Sequence, residues 1–389
     1  MPIAGFQKDK CAFVTSNFGF GPVSKAATIA AEIKRRRPKT EIHFFGNGIA
    51  LHFAKQSGSF DRFIETDVED AGKIKKILAE LKKYKIIFSV LNLQLLPLWR
   101  KSYGRLFFVD SLAWMWKEPP SGIENTDIYF VQDYLVSPER IESWKKTCRI
   151  ETVSPIGVPP DSSFLKTGLA KRNNHLLVNF SGCSNQFVGS RIYENYAATL
   201  LSLIIEEAHP EFESIEVCVN QKLAQNLHDR FNQTFLKISQ LPHQEFLQNL
   251  AAARFLLTAP GITTTLEAAV LKTPIGFLLP QNDSQAMVSE IYCRQFDESL
   301  TMAFSRFDKK LAFPTSMDDF MSLEQPVELA VQRMSLILEN YPDKIKHFLR
   351  VMLSDPVDRT IKHLRNSTYQ TGNRSGQSSI VSYVFGIIF

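Results

Sequence analysis

The sequence lacks the features that hold small secreted or metal-centred folds together. Its five cysteines, Cys11, Cys148, Cys183, Cys218 and Cys293, are scattered over 389 residues without a C-x-x-C pair. That spacing indicates neither a zinc site nor a disulfide framework. Cys11 and Cys218 fall in strand-like runs, where core positions are expected. A secretory leader is not expected from the first residues, and the apolar end at 381–389 is far too short to span a bilayer. A cytoplasmic protein without stable membrane insertion is expected, and no basic amphipathic stretch is strong enough to dock on a membrane. Charge of one sign is scarce: 45 Lys and Arg against 40 Asp and Glu leave a net +5. Such a balance weakly favours an anionic ligand and does not argue for nucleic acid. The one basic run, Lys34-Arg35-Arg36-Arg37, is either a phosphate patch or a complement to the dipole at a predicted helix end. No carboxylate motif clearly supplies a metal site, and neither a metal nor a cofactor is expected. Nothing in the sequence fixes an oligomeric state.

What is present is length and a regular rhythm. A chain of 389 residues with 44% hydrophobic content suits two domains with sizeable cores. Strand signals at 11–15, 41–45, 85–91, 105–109, 128–131 and 151–153 alternate with helical spacing at 23–37, from 49, and at 70–83. This βαβα order predicts a parallel, doubly wound sheet. The stretch 155–174, with Pro159-Pro160-Asp161-Ser162-Ser163, reads as a linker. A second series follows, with strands at 176–180, 215–219, 235–238, 254–257 and 275–279, and helices at 193–208, 223–232 and 244–253. The fold class is α/β with two Rossmann-like doubly wound domains, 1–160 and 161–325. Helical spacing returns at 327–341 and 344–353, within a segment 326–365. A polar, glycine-containing stretch makes 366–389 an expected flexible tail.

The run 258–285 carries the most chemistry. A strand ends, a glycine turn at Gly261 opens a helix on Thr263, Thr264 and Thr265, and a second strand leads into a polar loop at 280–285. Unpaired N–H groups at such a helix start, with the positive end of its dipole, can hold a diphosphate. Glu267 stands one turn in, where a carboxylate could take hydrogen bonds from sugar hydroxyls, and Gln285 lies near enough to meet the same ligand. The alternative is local: Thr264-Thr265-Leu266-Glu267 is also a capping box, in which Glu267 would bond the N-cap N–H.

The pattern Pro260-Gly261, Thr264-Thr265, Glu267-Ala268-Ala269, Thr273-Pro274, then Leu279-Pro280 and Gln285, resembles the donor-site signature of GT-B glycosyltransferases. The likeness is greatest to the branch of lipid-linked N-acetylglucosaminyl transferases and antibiotic glycosyltransferases. It is close over 236–285 and vaguer over both halves of the chain. The resemblance implies two domains facing across a cleft, with helices at 326–365 crossing back to the first. It implies Gly261, Thr264 and Thr265 on the diphosphate, Glu267 on the ribose and Gln285 on the donor sugar. In related transferases the loop matching Ser181-Gly182 reaches toward the diphosphate or sugar, although a plain βα turn would look similar. The segment 241–245 corresponds to one that frames the base, so His243 is either a base- or phosphate-contacting group or part of an ordinary helix start.

In the first domain, Gly19, Phe20 and Gly21 match the family's first glycine loop, which faces the acceptor. Pro22 stands where that loop commonly carries His. Pro at a helix start has a simple structural reason, and without the His the general base is open. Asp110, ending an apolar strand, is the foremost replacement, because a carboxylate emerging there could accept a proton from an acceptor hydroxyl. Trp114 and Trp116 could form an aromatic platform for the acceptor, and Asp133 is a weaker candidate of the Asp110 kind. The alternative for this cluster is core packing with a helix N-cap by Asp110 or Ser111. The resemblance implies transfer of a sugar from a UDP- or dTDP-sugar to a small-molecule acceptor, inverting and metal-independent. A natural product or nucleoside is the expected acceptor. A nucleotide-sugar hydrolase or epimerase, and a non-catalytic nucleotide-sugar-binding subunit, are the alternatives.

Overall fold

A computed structural model describes residues 10–157, 173–180, 183, 189–208, 211–295, 298–354 and 375–386. The chain divides into two compact units: Met1–Pro159 with Thr371–Phe389, and Pro160–Gln370.

The first unit is built on β1 (Lys10–Thr15), β2 (Glu41–Gly46), β3 (Arg62–Glu65), β4 (Ile86–Val90), β5 (Arg105–Asp110), β6 (Ile128–Gln132) and β7 (Ile150–Val153). All pair in parallel in the order β3-β2-β1-β4-β5-β6-β7. A parallel sheet needs apolar cover on both faces, and the alternation along each strand provides it. On one face Phe13, Phe88, Phe107 and Phe130 form a ladder across β1, β4, β5 and β6, with centroid separations of 4.6, 5.6 and 6.2 Å. Such cross-strand aromatic pairs add to plain burial. Ala12, Val14, Phe108 and Tyr129 join a second core on the other face. Cys11 and Cys218 are buried as expected.

Within the expected flexible tail, 366–389, residues 375–386 differ from the expectation, while 366–374 and 387–389 lie outside the described residues. Gly376–Gly386 is a helix whose Ile380, Val381, Val384 and Phe385 enter the phenylalanine core. It packs on the Gly21–Arg36 helix. Glu32, only 5% exposed, receives hydrogen bonds from Arg35, Arg36 and Ser378. Arg36 also reaches the Ser378 carbonyl and the Ser382 hydroxyl. Of the basic run at 34–37, Arg36 and Arg37 thus meet this helix, Arg37 lying 4.8 Å from the Phe385 ring centroid, and Arg35 holds Glu32, whereas Lys34 pairs with Asp61. Gly376 permits the close approach: a Cβ there would lie 1.9 Å from the Ser154 carbonyl oxygen.

The second unit holds β8 (Asn173–Asn179), β9 (Ser214–Cys218), β10 (Leu236–Ser239), β11 (Ala253–Thr258) and β12 (Ile275–Phe277). They pair in parallel in the order β10-β9-β8-β11-β12. The helices Pro326–Asn340 and Pro342–Ser354, expected to cross back to the first domain, pack in this unit against the Ser190–Ala208 helix. Lys346 and Arg350 pair there with Glu206 and Glu207. It is the Gly376–Gly386 helix that belongs to the first unit. Much of the expected linker, 158–172, lies outside the described residues.

Candidate functional site

In a doubly wound sheet, ligands bind outside the strand carboxyl ends where the strand order reverses. In the second unit that reversal falls between β8 and β11. Asn179 ends β8, and its Nδ2 donates to Thr258 Oγ1 at the end of β11 and to Thr264 Oγ1, both at 3.3 Å. A nearly buried amide therefore ties the two reversing strands to the helix that follows. That helix runs Ile262–Leu271 with Gly261 as N-cap, and no side chain caps it. Gly261, Ile262, Thr263 and Thr264 are all partly exposed. This is the arrangement in which first-turn N–H groups and the helix dipole meet an anion. Gly261 is in extended conformation, φ −101°, ψ 133°, which any residue adopts. Thr265 turns inward, its hydroxyl donating to the Gly261 carbonyl at 2.8 Å.

Because the helix begins at Ile262, Glu267 sits in its second turn, too far along for the capping box. It is 2% exposed, and its Oε1 lies 2.7 Å from His243 Nε2. His243 opens the His243–Ala252 helix and keeps 17% of its side chain exposed. A buried carboxylate thus positions a partly exposed imidazole, with Thr263 and Thr264 on a neighbouring helix start.

Gln285 takes part differently from the expectation. Asn282 accepts hydrogen bonds from the Ser284 hydroxyl and the Gln285 N–H, so the polar loop becomes the start of the Asp283–Gln295 helix. Gln285 Oε1 accepts from the Gln281 N–H at 2.9 Å. Gln281, nearly fully buried, donates to the Phe180 carbonyl at 2.7 Å, tying this loop to the end of β8. Ser181 and Gly182 lie outside the described residues. Asn179 and Gln281 were not singled out by sequence reasoning. A polar residue closing an apolar strand was the available signal for Asn179, whereas nothing local marks Gln281.

In the first unit the strand order reverses between β1 and β4. The loop after β1 turns at Gly19, whose φ of +68° favours glycine. Phe20 is the N-cap of the next helix, with Gly21 and Pro22 opening it. The Phe20 ring packs 5.9 Å from that of Phe53.

The Asp110 cluster corrects an expectation. Asp110 does end β5, but it is wholly buried. Its Oδ1 accepts from the Leu112 N–H at 2.6 Å, and its Oδ2 from Trp116 Nε1 at 2.8 Å and the Tyr129 hydroxyl at 2.6 Å. Burial pushes its carboxyl up despite those three donors. Both oxygens are engaged in ordering the chain, so Asp110 does not emerge where an acceptor could reach it. Trp114 is 3% exposed, so its ring is enclosed, whereas Trp116 is partly buried against the second core with its Nε1 bonded to Asp110. Asp133 is exposed beyond β6, two strands from β4.

No known family's sequence profile matches the chain, and no curated protein matches it in sequence. Solved structures do match in fold. One is Phytolacca americana UGT2 complexed with UDP-2fluoro-glucose and pterostilbene: 12% identity, 97% of this chain and 99% of that one covered, TM-score 0.51. Another is S. aureus MnaA with UDP: 12% identity, 98% and 97% covered, TM-score 0.50. A third is Arabidopsis thaliana UGT89C1 complexed with UDP: 12% identity, 85% and 99% covered, TM-score 0.50. At such identities the likeness is one of fold. With its two parallel, doubly wound units, this chain has the GT-B fold.

Proposed function

We propose that the chain is a glycosyltransferase that binds a UDP- or dTDP-sugar on its second unit and transfers the sugar to a small-molecule acceptor. The observation that carries this reading is the Asn179–Thr258–Thr264 tie at the β8/β11 reversal, beside a helix start with no side-chain cap. The diphosphate would lie on the N–H groups of residues 261–264, with the Thr263 and Thr264 hydroxyls beside it. The helix dipole stabilises the charge that grows on the leaving diphosphate. His243, held by Glu267, would contact the ribose or base, while Gln285 shapes the loop toward the sugar. That the fold's solved examples include UDP complexes supports a uridine nucleotide. Attack by an acceptor hydroxyl or amine expels the nucleoside diphosphate, with inversion and without a bound metal. On this reading Gly19, Phe20 and Gly21 contribute to the acceptor side.

A second reading has a specific observation behind it. Pro22 replaces the loop His and Asp110 is enclosed, which suits a nucleotide-sugar-binding subunit without turnover.

Calorimetric titration with UDP and dTDP tests the donor site. Micromolar binding is expected for one of them, unchanged by a metal chelator. Glu267→Ala should weaken it ~10-fold, equivalent to ~1.4 kcal/mol, with a thermal melt confirming that the variant is folded. Absence of binding to either nucleotide would leave Glu267 as a purely structural partner of His243 and count against the transferase reading.

A further inference from the structure

The Gly376–Gly386 helix carries a cost that neither the donor site nor the proposed reaction explains. Gln377, in its first turn, is 1% exposed, and both its Oε1 and its Nε2 lack a hydrogen-bond partner. Gln132, closing β6, is buried as well: its Oε1 accepts from the Ile156 N–H at 3.2 Å, while its Nε2 has no partner. Ser375, just before the helix, has an unpaired Oγ. These groups surround one stretch of chain. The Gly376 N–H donates to the Pro155 carbonyl at 3.4 Å, and a Cβ on Gly376 would lie 3.1 Å from Ile156 Cγ1. All four polar atoms are shielded from solvent, and an amide enclosed without partners opposes its own burial.

Other groups hold the helix down. Ile380, Val381, Val384 and Phe385 enter the phenylalanine core, the Ser378 hydroxyl donates to Glu32 at 2.9 Å, and the Arg37 guanidinium lies over the Phe385 ring. Docking is therefore a balance between apolar burial and two enclosed amides. A helix of 11 residues with three serines and a glycine at each end does not persist in water by itself, so undocking and melting are one event. The sheet does not depend on this helix for the rest of its cover, because the Gly21–Arg36 helix packs on β1 and β4.

We propose that the Gly376–Gly386 helix is a releasable strap on the first unit, opening as one cooperative piece while the seven-stranded sheet stays folded. Opening hydrates the Gln377 amide and bares the surface that the helix covers. That surface includes the Phe130 ring, whose centroid lies 6.0 Å from that of Tyr383, and the residues after β7 on which the helix start rests. The enclosed glutamine favours release, and the Ser378–Glu32 bond resists it. The inference is independent of the glycosyltransferase reading, since every contact it uses lies within the first unit.

Amide hydrogen exchange of the full chain, read by mass spectrometry of overlapping peptides, compares this helix with the strands beneath it. Protection across 376–386 should be ~100-fold or more below that of β1, β4 and β5. Overlapping peptides of the helix should share one protection value, as cooperative release requires. Gln377→Leu replaces the enclosed amide with an apolar side chain of similar size, so it is expected to fold and to raise the helix's protection ~10-fold. Protection of the helix equal to that of the strands would mean that it opens only with the whole unit, and would overturn the proposal. Protection that falls steadily toward residue 386 would show fraying in place of release and would overturn it too. So would a Gln377→Leu variant whose helix exchanges as fast as the parent's or faster, since the amide would then not oppose docking.

Discussion

Glu267 and His243 depend on each other, and the dependence is unequal. Removing the imidazole leaves a nearly buried carboxylate without its 2.7 Å partner, and an unsatisfied buried acceptor costs about 1–3 kcal/mol. His243→Ala is therefore expected to lower stability by about that much in chemical denaturation. Glu267→Gln, which can still accept from the ring, should lose less. Equal losses would mean that the pair is not held as described. At this scale the sequence was legible where structure follows from chain-local geometry. A glycine turn and three threonines mark the start of the Ile262–Leu271 helix by themselves. The Glu267–His243 bond joins residues 24 apart in sequence, and no spacing rule connects them. Asp110 shows the opposite failure. A carboxylate at a strand end reads as accessible, but whether three donors close over it depends on Trp116 and Tyr129, which the fold alone brings there.

Among the elements, the Gly376–Gly386 helix is the one whose sequence conceals it. Its polar, glycine-bearing start resembles a tail, because the apolar residues that anchor it find their core far earlier in the chain, and its Ser378–Glu32 bond spans 346 positions. Its attachment has a pH signature. Burial alone would raise the Glu32 carboxyl, but hydrogen bonds from Arg35, Ser378 and Arg36 outweigh it and draw the group from 4.5 down to about 2. A depressed carboxyl stabilises the folded state above its unfolded pKa. That contribution, at most about 3 kcal/mol, is lost as pH falls from about 4.5 toward 2. Stability measured by denaturant titration should decline over this window, and Glu32→Gln should show a shallower decline from a lower starting value. Identical slopes for the two proteins would show that Glu32 is not linked to the packing of this helix. Strands fared better than this helix. Eleven of the sheet strands coincide with apolar, β-branched or aromatic runs, whereas β3, Arg-Phe-Ile-Glu, is short and flanked by charge. The Asn282 cap likewise turned an expected loop into a helix start.

Across the whole molecule, the alternation of strands and helices sufficed for the doubly wound architecture, because parallel strands need crossovers and buried faces. Strand order was not readable, and it is the order that places both reversals, and with them both sets of candidate residues. Domain membership of the last helices also depended on packing: the Pro326–Asn340 and Pro342–Ser354 helices complete the second unit, and a later one completes the first. The central claim is that a nucleotide diphosphate binds at the β8/β11 reversal. Amide hydrogen exchange on the full chain, with and without saturating UDP, tests it most directly. Slowed exchange concentrated at 258–267 and 239–245 is the expected result. Protection absent from those segments, or confined to the first unit, would contradict it.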